Sequence, residues 1–329
     1  MSLTKERAAK ILAAFSDKRV LVVGDAFVDT KITCVIERPN PENQQVPLGR
    51  IGKNAEEHHS GGAGNAARNI ANLGGQATLL SLCGSDELGK TLHSIAKMEG
   101  YAARFVTDKL RSTINKCRFV TKRGVLFRAD YEDDSSTQPM EDTLVPLFAE
   151  HLRALLKKAD GLLISDYGKG LLTRAWCDRL LDEALHAVPI LADVKPAQAG
   201  HFIGVNMMSP NLKEATEAVK MQHEQEVELV AAKLAEQFNT EAFLTAGDMG
   251  ICIAKEPQEP RLVRQEHIVE VGDTSGCGDT AAATILLAKL CGATSVEAAE
   301  LANAAAAVTV SKVGAYAPKP EEVLRMLAS

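Results

Sequence analysis

The chain has 329 residues, of which 46% are hydrophobic and 24% charged, with a formal net charge of −6 at pH 7. This is the composition of a globular chain with ample core, and its acidic balance lacks the global basic footprint of a nucleic-acid binder. No apolar run is long enough to span a bilayer, so neither nucleic acid nor a membrane is an expected partner.

The first segment, MSLTKERAAKILAAFSDK, is charged and amphipathic and lacks the apolar centre of a signal peptide. From residue 19 onward, apolar runs alternate with helical patterns. RVLVVGD (19–25), ATLLSLCG (77–84), DGLLISD (160–166), VPILADV (188–194) and EAFLTAG (241–247) read as buried parallel strands. Helices are expected near 63–73, 87–99, 141–157, 173–187, 211–220, 226–238, 279–290, 295–311 and 320–328. The alternation predicts an α/β fold whose mostly parallel sheet is covered on both faces, as a single domain over residues 1–329. Residues 28–59 and 104–131 break the rhythm. Their β-branched residues alternate with polar ones, and KRG at 122–124 reads as a turn, so short antiparallel strands forming a small lid sheet are expected there.

Several stretches carry candidate chemistry. Asp25 ends the first strand and Asp29 follows four residues on, where ligand sites of parallel sheets lie. In SGGAGNAARNIANLGG (60–75), Gly61 and Gly62 permit close backbone approach, and Asn65 and Asn69 share one helical face that suits sugar hydroxyls. A helix start with a polar outer face explains the same residues. GSDELGKT (84–91) satisfies the Walker A expression between a strand and a helix, which raises a P-loop NTPase reading for Gly84–Thr91. Asp86 and Glu87 would repel a triphosphate there. GCGDT (276–280) places Gly276, Cys277, Gly278 and Asp279 at the mouth of a helix expected to begin near Asp279. The free amides and dipole of such an end attract an anion, and a phosphate bound there would leave Asp279 beside the reacting group as a base. Asp279 as a simple helix cap is the competing reading.

The seven cysteines (Cys34, Cys83, Cys117, Cys177, Cys252, Cys277, Cys291) are scattered and form no C-x-x-C pair, which fits a reducing cytoplasm rather than a disulfide framework. The pair His58-His59 reads as exposed loop.

Together these stretches resemble the ribokinase-like (PfkB) carbohydrate kinase family. GGAGNAARNIANLG is similar to its N-terminal signature and DTSGCGDT to its D-T-x-G-A-G-D signature. GSDELG matches its G-x-D-x-x-G turn, NLKE (211–214) its N-x-x-E motif and TAGDMG (245–250) its T-x-G-x-x-G loop. Within the family, SDYGKG (165–170), DVKP (193–196), SPNLKE (209–214) and LANAAAAVTVSKVG (301–314) resemble heptose 7-phosphate kinases. Gly64 and Cys277 stand where alanines are more usual, and the lid segments match loosely.

The resemblance implies a three-layer α/β/α fold with a β-sheet lid, and an ATP-dependent sugar kinase with Asp279 as base. Gly276, Cys277 and Gly278 would supply amides to the developing charge. Asn211 and Glu214 would organise Mg²⁺, and Lys195 or Lys169 would meet phosphate. Thr245, Gly247, Gly250, Asn303 and Val313-Gly314 would line the nucleotide groove, and a monovalent cation could assist. Asp25, Asp29, Gly61, Gly62 and Asn65 would bind the sugar, with Lys116, Arg118 and Arg128 facing a sugar phosphate. A homodimer joined through the lids is expected, without the nucleotidyltransferase domain fused to some heptose kinases. A sugar or nucleotide sensor without catalysis is the reading from another class.

Overall fold

The computed structural model describes residues 3–122, 124–221, 226–266 and 269–327. Arg123 of the expected turn and Ala328 of the last expected helix lie outside them.

In chain order, α1 (Lys5–Ala13) precedes β1 (Arg19–Gly24), β2 (Ala26–Pro39), β3 (Pro47–Gly62), α2 (Ala63–Asn72), β4 (Gln76–Gly84), α3 (Glu87–Met98) and β5 (Ala102–Asp108). Next come β6 (Asn115–Thr121), β7 (Gly124–Tyr131), α4 (Asp134–Thr137), α5 (Val145–Leu156), β8 (Gly161–Ser165), α6 (Arg174–Ala184), β9 (Ile190–Asp193) and α7 (Pro196–Ala199). The chain continues through β10 (Met207–Met208), α8 (Leu212–Ala218), α9 (Val227–Phe238), β11 (Glu241–Thr245), β12 (Gly250–Lys255) and β13 (Gln258–Arg264). It closes with α10 (Cys277–Leu290), α11 (Ser295–Val310) and α12 (Pro320–Met326).

A nine-stranded sheet in the order β13-β12-β11-β10-β9-β8-β1-β4-β5 forms the body. Pairing is parallel from β5 to β11, and β12 and β13 add an antiparallel edge. Because side chains alternate across a strand, each central strand feeds two cores. Val20 and Val22 of β1, with Leu163 and Leu191, pack toward α2, α10 and α11, whereas Leu21, Val23, Leu162 and Ile164 pack toward α5, α6 and α9. The result is the three-layer α/β/α arrangement expected from the alternating pattern. Helices α10 and α11 carry runs of buried alanine on nearly every side, which suits helices enclosed between neighbours.

A second sheet, in the order β3-β2-β6-β7, stands apart from the first. Its strands differ from the short antiparallel ones expected. β2 and β3 span 14 and 16 residues, and β2 joins β6 in parallel, with Val28 opposite Asn115. Residues 104–108, assigned by pattern to the lid, belong to the body: β5 pairs with β4 from Thr78–Ala102 onward. The helix expected at 141–157 begins only at Val145, after a turn at 142–144.

Candidate active site

The carboxyl ends of the parallel strands set out a row of polar residues along one edge of the body. Asp25 follows β1, Asp166 follows β8, Lys195 follows β9 and Asn211 lies just after β10. Helix α10 points its N-terminus at this row. It begins at Cys277, two residues earlier than expected, after Gly276 at φ +80°. A Cβ at Gly276 would lie 2.8 Å from Asn65 Nδ2, so both conformation and space require glycine. At Gly278 a Cβ would meet nothing within 4 Å, leaving the first turn open to a ligand.

Asp279 is only 4% exposed. Asn65 Nδ2 donates to its Oδ2 at 2.6 Å, and the Tyr167 hydroxyl donates to Oδ1 at 3.0 Å and Oδ2 at 3.2 Å. Burial raises the Asp279 pKa to about 6, against the lowering effects of Asn65, Tyr167, Lys195 and Arg68. The helix end therefore does not hold this carboxylate in the ordinary acidic range, as its position alone suggests. Burial outweighs the local donors, and the group remains mostly ionised at neutral pH.

Asn65 has a single orientation that satisfies the acceptor-only carboxylate, with its amide nitrogen toward Asp279. Its Oδ1 is then buried and unpartnered. Asn69 serves the scaffold instead: its Nδ2 donates to Asn65 O and its Oδ1 accepts from Thr280 Oγ1, tying α2 to α10.

Asn65 and Asp279 line a cavity of about 160 Å³ together with Phe27, Asp29, Gly61, Gly62, Lys116, Arg118, Arg128, Tyr167, Ser275 and Gly276. The cations differ in what holds them. Arg118 is paired with Asp29, and Arg128 grips Asp130 with its Nε at 2.6 Å. Lys116 instead sits 4.0 Å from the centre of the Phe27 ring and 5.6 Å from that of Tyr167. Burial, then Arg128 and Lys169, lower its pKa to about 8. Lys169 pairs with Glu132 at 2.5 Å. Gly61 is glycine because a Cβ would come within 2.2 Å of Phe27, and Gly62, at φ +60°, because one would meet Asp25 O at 2.2 Å.

Asp25 is held by the loop after β8. Its carboxylate accepts from the amides of Tyr167 (3.0 Å), Lys169 (2.9 Å) and Leu171 (3.3 Å), and it does not line this cavity. Asn303 is likewise engaged, its Nδ2 donating to Val263 O at 3.0 Å and joining α11 to β13. Gly250, at φ +108°, fits closely under β13, where a Cβ would meet Val263 O at 2.2 Å. Thr245 lies at the end of β11, its amide bonded to Pro210 O. Gly247 and Gly314, at φ +60° and +84°, have open space on their Cβ side.

Asn211 and Glu214 form a reciprocal cap at the start of α8, and Lys195 Nζ reaches Glu214 Oε1 at 2.6 Å. Among the described residues, no cluster of three His, Cys, Asp or Glu has the arrangement to hold a metal. Yet the region is rich in carboxylate. Asp166 is pushed up by burial and by Asp25 beside it, with Oδ2 unpartnered, and Asp193 is raised by burial, Asp279 and Glu214. That surplus suits a hard cation whose remaining ligands are water and phosphate.

The Walker-like loop is a structural turn. Asp86 caps α3 by accepting from Gly89 N and also accepts from Thr113 N, both at 2.8 Å. A Cβ at Gly89 would meet Gly84 O at 2.3 Å, and exposed Lys90 pairs with Glu87. The inward carboxylate takes the amide a phosphate would need, so the P-loop reading falls.

Comparison with known proteins agrees with this architecture. The pfkB family of carbohydrate kinases matches residues 18–322. The chain is 37% identical over 312 residues to the bifunctional protein HldE of Caulobacter vibrioides, covering 93% of this chain and 62% of that one. It is 34% identical over 316 residues to HldE of Pseudomonas aeruginosa, covering 94% and 64%. It thus spans a little under two thirds of the length of these relatives. The fold superposes on phosphofructokinase-2 from Escherichia coli in complex with potassium with a TM-score of 0.79 at 18% identity, covering 94% and 98% of the two chains. Ribokinase of Arabidopsis thaliana complexed with ribose and ATP gives 0.71 at 19%, with the same coverage. A ribokinase-like body whose sequence carries these motifs defines an ATP-dependent carbohydrate kinase. The chain belongs to the PfkB family.

Tyr167, which contacts Asp279, carries no local signal in the sequence. SDYGKG carries a family likeness, but no local spacing links Tyr167 to a carboxylate 112 residues away.

Proposed function

We propose that this kinase phosphorylates D-glycero-D-manno-heptose 7-phosphate to the 1,7-bisphosphate. The observation that carries the reading is one cavity with a buried carboxylate and an open helix N-terminus at Asp279, and three cations, Lys116, Arg118 and Arg128, on the small sheet.

In this reading Asp279 takes the proton of the acceptor hydroxyl as that oxygen bonds to the γ-phosphorus of ATP. The bond to the bridging oxygen breaks and ADP leaves. Amides at Gly276, Cys277 and Gly278 face the charge that develops on the transferring group. The Cys277 thiol takes no part, since burial pushes its pKa up to about 11. Lys195 would offset phosphate charge, while Gly247 and Gly314 would leave room for the nucleotide near Thr245. Mg²⁺ would be reached through water from Asn211 and Glu214, and when bound it neutralises charge on the phosphates. A monovalent cation near the anion-binding loop is part of the same proposal.

Residues 1–329 would act as one kinase domain in the cytoplasm, with the small sheet as its lid. Edge strands β3 and β7 and exposed Val35, Ile51 and Phe127 favour a homodimer through these sheets.

A second reading follows from Asp29 and Asp130, which already neutralise Arg118 and Arg128 and so favour an unphosphorylated sugar. ADP release measured across heptose 7-phosphate, fructose 6-phosphate, fructose and ribose separates the two. The proposal requires the highest kcat/KM with the heptose phosphate; better turnover of fructose or ribose overturns it.

A further inference from the structure

The loop after β8 is held more firmly than a surface turn requires. Asp25 accepts three of its amides, Asp166 accepts from Gly168 N at 2.8 Å, and buried Arg111 donates to Lys169 O at 2.8 Å. Gly168 and Gly170 take φ +67° and +88°, which lets the chain turn back on Asp25. The Tyr167 ring is fixed edge-on to Phe27 at 5.4 Å, with Lys195 Nζ 5.3 Å from its centre. The backbone contacts hold the loop and the ring contacts hold the Tyr167 side chain, whose hydroxyl ends between the two oxygens of Asp279.

We infer that Tyr167 is a positioning residue for the base: its hydroxyl orients Asp279 so that Oδ1 faces the acceptor hydroxyl. The inference rests on the reading of Asp279 as base. Oδ2 receives Asn65 at 2.6 Å as well as Tyr167, whereas Oδ1 receives Tyr167 alone and keeps free lone pairs. Tyr167 cannot replace the base, because burial and the Asp279 charge hold its own pKa far above the ordinary phenol range. As a donor to the ionised form it opposes the burial of Asp279 and keeps the carboxylate available near neutral pH. Lys195 and Arg68 act in the same direction, while Asp193 and the Cys277 thiol face the same carboxylate and act against it if ionised. Asp25 anchors the loop that carries Tyr167.

Tyr167→Phe retains the ring and removes only the donor. Two measurements test it: kcat/KM against pH with ATP and heptose 7-phosphate, and a carboxyl ¹³C titration of Asp-labelled protein, with Asp279→Asn assigning the resonance. The substitution should move the Asp279 midpoint and the acid limb upward by about one pH unit, lowering kcat by about two-fold at pH 7 and about five-fold at pH 6 through the smaller ionised fraction, with KM for ATP unchanged. In the Asp279→Asn background it should cost nothing further. An unmoved Asp279 midpoint in Tyr167→Phe overturns the inference even if turnover falls. Normal turnover by Asp279→Asn overturns the base reading, and this inference with it.

Discussion

Asn65 and Asp279, 214 residues apart in the chain, meet at 2.6 Å beneath the N-terminus of α10. The contact locks the first glycine-rich helix onto the second and commits the Asn65 nitrogen to the carboxylate. It also leaves the Asn65 oxygen buried without a partner. The two family-like signatures therefore meet in space, through the side chains of Asn65 and Asp279.

A buried carboxylate whose pKa is raised should leave a mark on stability. The folded state holds the Asp279 proton more tightly than the unfolded chain, so this group favours folding below about pH 4. That contribution is lost as pH rises through about 6. Asp279→Asn removes the cost of the buried charge. Its stability relative to the parent should grow by about 1.4 kcal/mol between pH 5 and pH 8. Urea denaturation at both values measures this, and a difference independent of pH would contradict it.

The three cations of the cavity should not behave alike. Arg118 and Arg128 are already paired with carboxylates, whereas Lys116 is held against the Phe27 and Tyr167 rings. Lys116→Ala should raise KM for a phosphorylated sugar by about ten- to a hundred-fold, the range of a charge-assisted contact, and Arg128→Ala by less. KM for an unphosphorylated sugar should stay within a few-fold in both. Equal effects on both kinds of sugar would show that neither side chain meets the substrate phosphate.

Assembly can be tested on the small sheet without touching the cavity. Val35 and Phe127 are 60% and 52% exposed. If two sheets pair, Val35→Asp combined with Phe127→Asp should convert a dimer to a species of one 35.2 kDa chain in light scattering. A parent that is already monomeric at micromolar concentration would count against the dimer.

Much of the body was legible because strands buried on both faces read as unbroken apolar runs, as in RVLVVG and GLLIS. Strands exposed on one side were not. β13, QEPRLVR, carries polar residues along an edge, and β10 has only two residues, too few for any period. ARFVTD alternates like a lid strand, yet it pairs with β4, and its successive residues Phe105 and Val106 each meet a separate core. At the site, Gly276–Asp279 was readable because a helix mouth is a local object. Tyr167 and the loop-holding role of Asp25 were not, since both depend on how β1, β8 and α10 are brought together.

Proton abstraction by Asp279 is the central step of the proposed reaction. Turnover of Asp279→Asn with saturating Mg²⁺·ATP and heptose 7-phosphate, alongside calorimetric ATP affinity, tests it most directly. The substitution removes proton abstraction and leaves the helix N-terminus in place, so kcat should fall by about 10²–10⁴-fold with ATP affinity within a few-fold of the parent. Turnover within a few-fold of the parent would contradict the account.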